Sequence, residues 1–110
     1  MPVATSVKIT SLSQDLGSQR RLAELLGVSP AQITRWRRGG GIDLQNAEKV
    51  DLLELVVSSL LRLYLPEAAE QWLLGLNPNL GDRRPIDLIA AGNTRQLLDA
   101  LAVERAGAFA

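Results

Sequence analysis

The 110-residue chain contains no cysteine and no histidine. Without thiolates or imidazoles it lacks the ligands of an ordinary zinc site, any disulfide, and the side chain most often used for proton transfer near neutral pH. No metal, no cofactor and no catalytic residue is therefore expected, and an enzyme is the least favoured reading. No stretch approaches the ~20 uncharged apolar residues needed to cross a bilayer, and no basic segment followed by a long apolar run opens the sequence. Those absences predict a cytoplasmic protein with no membrane partner.

Net charge is zero as well, but the balance conceals a division. Residues 1–41 hold six basic side chains, Lys8, Arg20, Arg21, Arg35, Arg37 and Arg38, against Asp15 and Glu24, whereas the remainder holds six basic against ten acidic. A basic front half suits a polyanion that the acidic back half would repel, so the back half is expected to serve another purpose. With 46% hydrophobic residues the chain is expected to fold, as one compact unit or a small module joined to a second lobe.

The segment QRRLAELLGVSPAQITRWRRGGG, residues 19–41, has the spacing of a helix-turn-helix. Leu22, Leu26, Val28, Ile33 and Trp36 stand where two steeply crossed helices need apolar contacts, and Ala23 where a larger side chain would force them apart. Gly27 stands where the first helix must stop and reverse. Ser29 and Pro30 open the second helix as N-cap and first helical residue, with Gln32 placed to complete a capping box, and Gly39, Gly40 and Gly41 end it. With Ile33 and Trp36 facing inward, Ser29, Ala31, Gln32, Thr34, Arg35, Arg37 and Arg38 are left toward a DNA duplex, joined by Arg20 and Arg21. Arg35 is the candidate for a guanine edge and Gln32 for adenine; the other arginines suit phosphates. The alternative for each arginine is a solvated basic face. The triple glycine follows a helix and lacks the Gly-Lys-Ser/Thr ending of a nucleotide-binding loop.

An all-α fold is predicted throughout. Val7–Leu16 is expected to form a first helix behind the helix-turn-helix. From Asp43 to Leu65 a long helix is expected, apolar on most of its circumference, with one polar stripe of Asp51, Glu54, Ser58 and Arg62. So much apolar surface calls for cover, by the C-terminal helices or by a second copy of the chain, which would also match a two-fold operator. A homodimer is accordingly expected. Pro66 starts a further helix closed by Gly75, NPNLGDRRP is a turn, Pro85 starts a short helix stopped by Gly92, and Asn93 or Thr94 caps a last helix running to about Arg105. The division by task is 1–41 for DNA, 42–65 for the central or dimerisation helix, and 66–110 for a C-terminal helical domain.

Residues 68–110 carry a second pattern: Trp72-Leu73 on a helix, then Asn77, Pro78, Leu80 and Gly81, then Pro85, Asp87 and Leu88, then Gly92, Leu97 and Leu101, and finally Gly107, Phe109 and Ala110. This order resembles the antitoxin and toxin-binding domain of the Xre/MbcA/ParS family, whose members also carry an N-terminal helix-turn-helix. The resemblance implies a type II antitoxin that binds a RES-domain, NAD-degrading toxin through its C-terminal region, with the chain end approaching the toxin's active-site entrance, and that binds its own promoter. The residues expected to meet the toxin are Trp72, Asn77, Pro78, Leu80, Gly81, Arg83, Arg84, Pro85, Gly107 and Phe109, with Trp72, Leu80 and Phe109 as apolar anchors and Arg83 and Arg84 paired with acidic groups. For Trp72 a place in the chain's own core is the stronger expectation. The sequence departs from the family at Asn93, where a second glycine is frequent, and at the more basic Arg83-Arg84. The alternative is a stand-alone helix-turn-helix regulator whose C-terminal lobe dimerises or senses a ligand.

Overall fold

The computed structural model describes residues 4–108. Among these residues seven α-helices follow one another: α1 (Thr5–Asp15), α2 (Gln19–Leu26), α3 (Pro30–Arg37), α4 (Leu44–Leu61), α5 (Pro66–Leu74), α6 (Pro85–Ala91) and α7 (Thr94–Ala108), with a 3-10 turn at Pro78–Leu80. The chain divides into two compact units, Met1–Glu54 and Leu55–Ala110. Among the described residues no helix is long and apolar enough to cross a membrane.

In the first unit α1 packs on α2 and α3, and α2 on α3. Each join has a local cause. Ser18 caps α2, its hydroxyl accepting from the Arg21 N–H at 3.0 Å. Gly27 ends that helix at φ 70°, ψ 33°, a left-handed turn that a β-carbon would strain. Val28 then donates to the Ala23 carbonyl at 3.0 Å, the six-to-one bond of a Schellman ending. Ser29 opens α3 by accepting from the Gln32 N–H, and Pro30 occupies the first helical position without leaving a donor unpaired. Leu22, Ala23, Leu26, Ile33 and Trp36 are buried as the crossing requires, while Val28 is half-buried at the turn. Ile9 and Leu12 of α1 close this core, and Val50, Leu52 and Leu53 of α4 are buried.

The first helix starts two residues earlier than its pattern predicts. The central helix is shorter than expected, ending at Leu61 rather than Leu65. Leu63 and Tyr64 both donate to the Leu60 carbonyl in a closing turn, and Pro66 holds Leu65 extended at φ −68°, ψ 158°. A residue before proline clashes with the proline ring in helical geometry, so the apolar residues Leu63, Tyr64 and Leu65 cannot prolong the helix through that point.

In the second unit α5 packs on α6, α6 on α7, and α7 on the 3-10 turn. Val56, Val57 and Leu60 of α4 are buried, as are Leu73, Leu80, Ile86, Leu88, Ile89, Leu97 and Leu101. The last helix runs three residues past the expected Arg105, so Gly107 is helical. Phe109 and Ala110 lie outside the described residues.

Candidate functional site

The helix-turn-helix presents α3 with its basic end outward. Arg35, Arg37 and Arg38 are exposed, Ala31 is exposed, and Gln32 and Thr34 are half-buried. Ser29 is already engaged as the N-cap, which makes it a positioning group for α3. Arg20 and Arg21 both face Glu24, at 4.0 and 2.9 Å, so part of their charge is neutralised within α2.

Arg35 and Arg37 are held in different ways. Gly40 donates to the Arg35 carbonyl at 2.8 Å, and a β-carbon built on Gly40 would lie 2.6 Å from Arg35 Cγ and 2.8 Å from that carbonyl oxygen. Only glycine lets the loop turn this closely under the arginine stem. Arg37 is braced by Gln19: with the amide oriented to satisfy its neighbours, the Gln19 oxygen accepts from Arg37 Nε at 3.0 Å and Nη1 at 2.9 Å, and its nitrogen donates to Thr34 Oγ1 at 3.3 Å. The Thr34 hydroxyl donates in turn to the Pro30 carbonyl. The sequence reading missed Gln19, whose only signal was its place as the first residue of α2. It also missed the bond from Lys8 Nζ to Asp51 Oδ1 at 2.8 Å, which removes Lys8 from the free cations of this half.

In the second unit the Asn77–Arg83 segment forms a closed turn. Asn77 donates its N–H to the Arg83 carbonyl, its own carbonyl accepts from Leu80 and Asp82, and its side-chain oxygen accepts from Asn79 N–H at 2.9 Å. Asn77 is only 8% exposed and Leu80 3%, and Pro85 is buried, so these residues shape the turn from inside. Leu80, expected as an anchor for a partner, is turned into the chain's own packing here. Pro78 and Gly81 are exposed on the turn, and Gly107 is exposed on α7. Trp72 is half-buried with its indole N–H enclosed and without an acceptor, which places most of it in the chain's own packing.

The loop arginines are exposed, but both are already engaged. Arg83 donates from Nε to the Leu80 carbonyl and from Nη2 to Gln96 Oε1, each at 2.8 Å. Arg84 forms a fork on Asp87, Nε and Nη2 each 2.9 Å from a carboxylate oxygen. That fork, through its hydrogen bond first, holds the Asp87 carboxyl below its ordinary range and pushes the Arg84 guanidinium up. Tyr64 donates to Glu104, which raises the phenol above its usual value. Because Arg83 ties the turn to α7, Arg83→Ala is expected to lower stability by about 1–2 kcal/mol in urea unfolding, more than an unattached loop residue would.

The fold and the cap, turn and glycine geometry of residues 19–41 define the first unit as a helix-turn-helix. Residues 17–51 match the family model described as Helix-turn-helix. One chain of the crystal structure of the M. tuberculosis MbcT-MbcA toxin-antitoxin complex matches over 97% of this chain and 96% of that chain, with a TM-score of 0.73 and 22% identity. At that identity the likeness fixes the fold over nearly the whole length of both chains. No curated protein sequence matches significantly.

Proposed function

We propose that this chain is a type II antitoxin, which neutralises a toxin protein through its C-terminal unit and binds its operator DNA through the helix-turn-helix. The observation that carries the reading is the fold likeness to a chain of a toxin–antitoxin complex, end to end rather than over the DNA-binding module alone. The Asn77-Pro78-x-Leu80-Gly81 turn and the charge division between the two halves support it. The toxin is of the RES-domain, NAD-degrading class, and inhibition works by occlusion: a protein that fills an entrance needs no catalytic group of its own. In a growth assay, expression of the neighbouring reading frame alone should arrest cells and co-expression of this chain should restore growth. Arrest that persists with both present and expressed would refute neutralisation.

The protein acts as a homodimer on a two-fold operator. The structure narrows what a second copy is needed for, because Val50, Leu52, Leu53, Val56, Val57 and Leu60 of α4 are buried within the chain itself. Leu44 and Leu55 remain exposed, at 75% and 46%. Sedimentation should show a dimer at micromolar concentration and Leu55→Lys should shift it toward monomer. A wild-type protein that is monomeric throughout would remove the dimer.

A further inference from the structure

An open hollow of about 330 Å³ lies between α1 and the end of α3, lined by Ser6, Val7, Thr10, Ser11, Gln14 and Arg37. We propose that it seats a phosphate of the DNA backbone, which makes α1 part of the DNA-binding surface. This rests on the DNA-binding reading above.

Beside the apolar Val7, the lining offers one guanidinium, three hydroxyls and one amide, and no carboxylate, the polar groups an anion would meet. Gln19 occupies the Nε and Nη1 side of the Arg37 guanidinium, so that side chain is fixed in place while Nη2 keeps its donors for a ligand. A guanidinium pre-set in this way loses less freedom on meeting a phosphate than one on a free stem. Thr10 already donates to the Ser6 carbonyl, which leaves the hydroxyls of Ser6 and Ser11 and the amide of Gln14 as the donors α1 can offer. The cation of α1, Lys8, is paired with Asp51. A backbone phosphodiester is the fitting source, because Arg37 lies on the same helix as Arg35 and directly before Arg38, and so delivers the hollow to whatever polyanion that helix meets.

The test is a scan of promoter DNA in which single phosphates are replaced by neutral methylphosphonates, carried out with the full-length wild type, Gln14→Glu and the Ser6→Ala/Ser11→Ala double variant. Gln14 is exposed, so its replacement carries the test even if the double variant perturbs α1. One replaced linkage should weaken the wild type but have little further effect on either variant. For unmodified DNA, Gln14→Glu should weaken binding about fivefold at about 0.15 M salt and lower the log–log salt slope by about 0.9. Identical linkage profiles in wild type and variants would overturn the proposal. So would inorganic phosphate that shifts the Ser11 amide resonance at millimolar concentration while the linkage profiles stay the same, since the hollow would then take free anions only. Failure of the wild type to bind DNA at all would instead overturn the DNA-binding reading, and this proposal with it.

Discussion

Replacing Arg35, Arg37 and Arg38 together by alanine is expected to weaken binding to the promoter by about two to three orders of magnitude. Loss of a guanine contact by Arg35 removes about 1–3 kcal/mol of discrimination. Each lost phosphate contact, at a slope of about 0.9, is worth about fivefold at about 0.15 M salt. The fold should survive, because all three side chains are exposed and the core residues of α3 are Ile33 and Trp36. The single substitutions should separate the two roles: Arg35→Ala flattens the preference for promoter over unrelated DNA, and Arg38→Ala weakens both alike. Gel-shift titrations at several salt concentrations read both effects. Unchanged promoter affinity in the triple variant would remove DNA recognition from this face.

Deleting residues 107–110 is expected to abolish protection against the toxin while leaving the protein folded. The last described buried side chain of α7 is Leu101, and Gly107 is exposed, so the loss of Gly107 removes no core contact. What it does remove is Phe109, the aromatic group that the family resemblance brings to the toxin's entrance. Circular dichroism should show the helical content and unfolding midpoint nearly unchanged. The growth assay should show arrest equal to that of toxin alone. The arginine-depleted α3 variant is the control and should still protect. If that control fails while the truncated protein protects fully, the N-terminal unit holds the toxin and the division of tasks is reversed.

The elements that were legible in the sequence are those fixed by short-range chemistry. Ser29-Pro30 opens α3 and Gly27 closes α2 because capping and left-handed geometry are decided within a few residues, and the structure places both as read. The burial of Ala23, Ile33 and Trp36 followed from the positions at which two crossed helices of this motif must touch. The end of α4 was misplaced because hydrophobic periodicity runs on to Leu65, whereas the constraint that stops it comes from Pro66 acting backward on its neighbour. At the candidate sites the losses were polar contacts between distant residues. Gln19 on Arg37 spans two helices, and Arg83 on Gln96 joins a loop to α7. No spacing rule announces such pairs, since they depend on where the fold brings long flexible side chains together. Arg83 and Arg84, expected to meet a partner, are also bonded within the chain, Arg84 to Asp87 by a local i,i+3 pair.

The central claim is that this chain binds a toxin, and co-expression with the product of the neighbouring reading frame tests it most directly. With an affinity tag on one protein only, both should be retained in fixed proportion through affinity purification and size exclusion. They should remain together for the arginine-depleted α3 variant and separate for the protein lacking residues 107–110. Full-length chain that elutes free of its neighbour, when both are soluble and folded, would contradict the account.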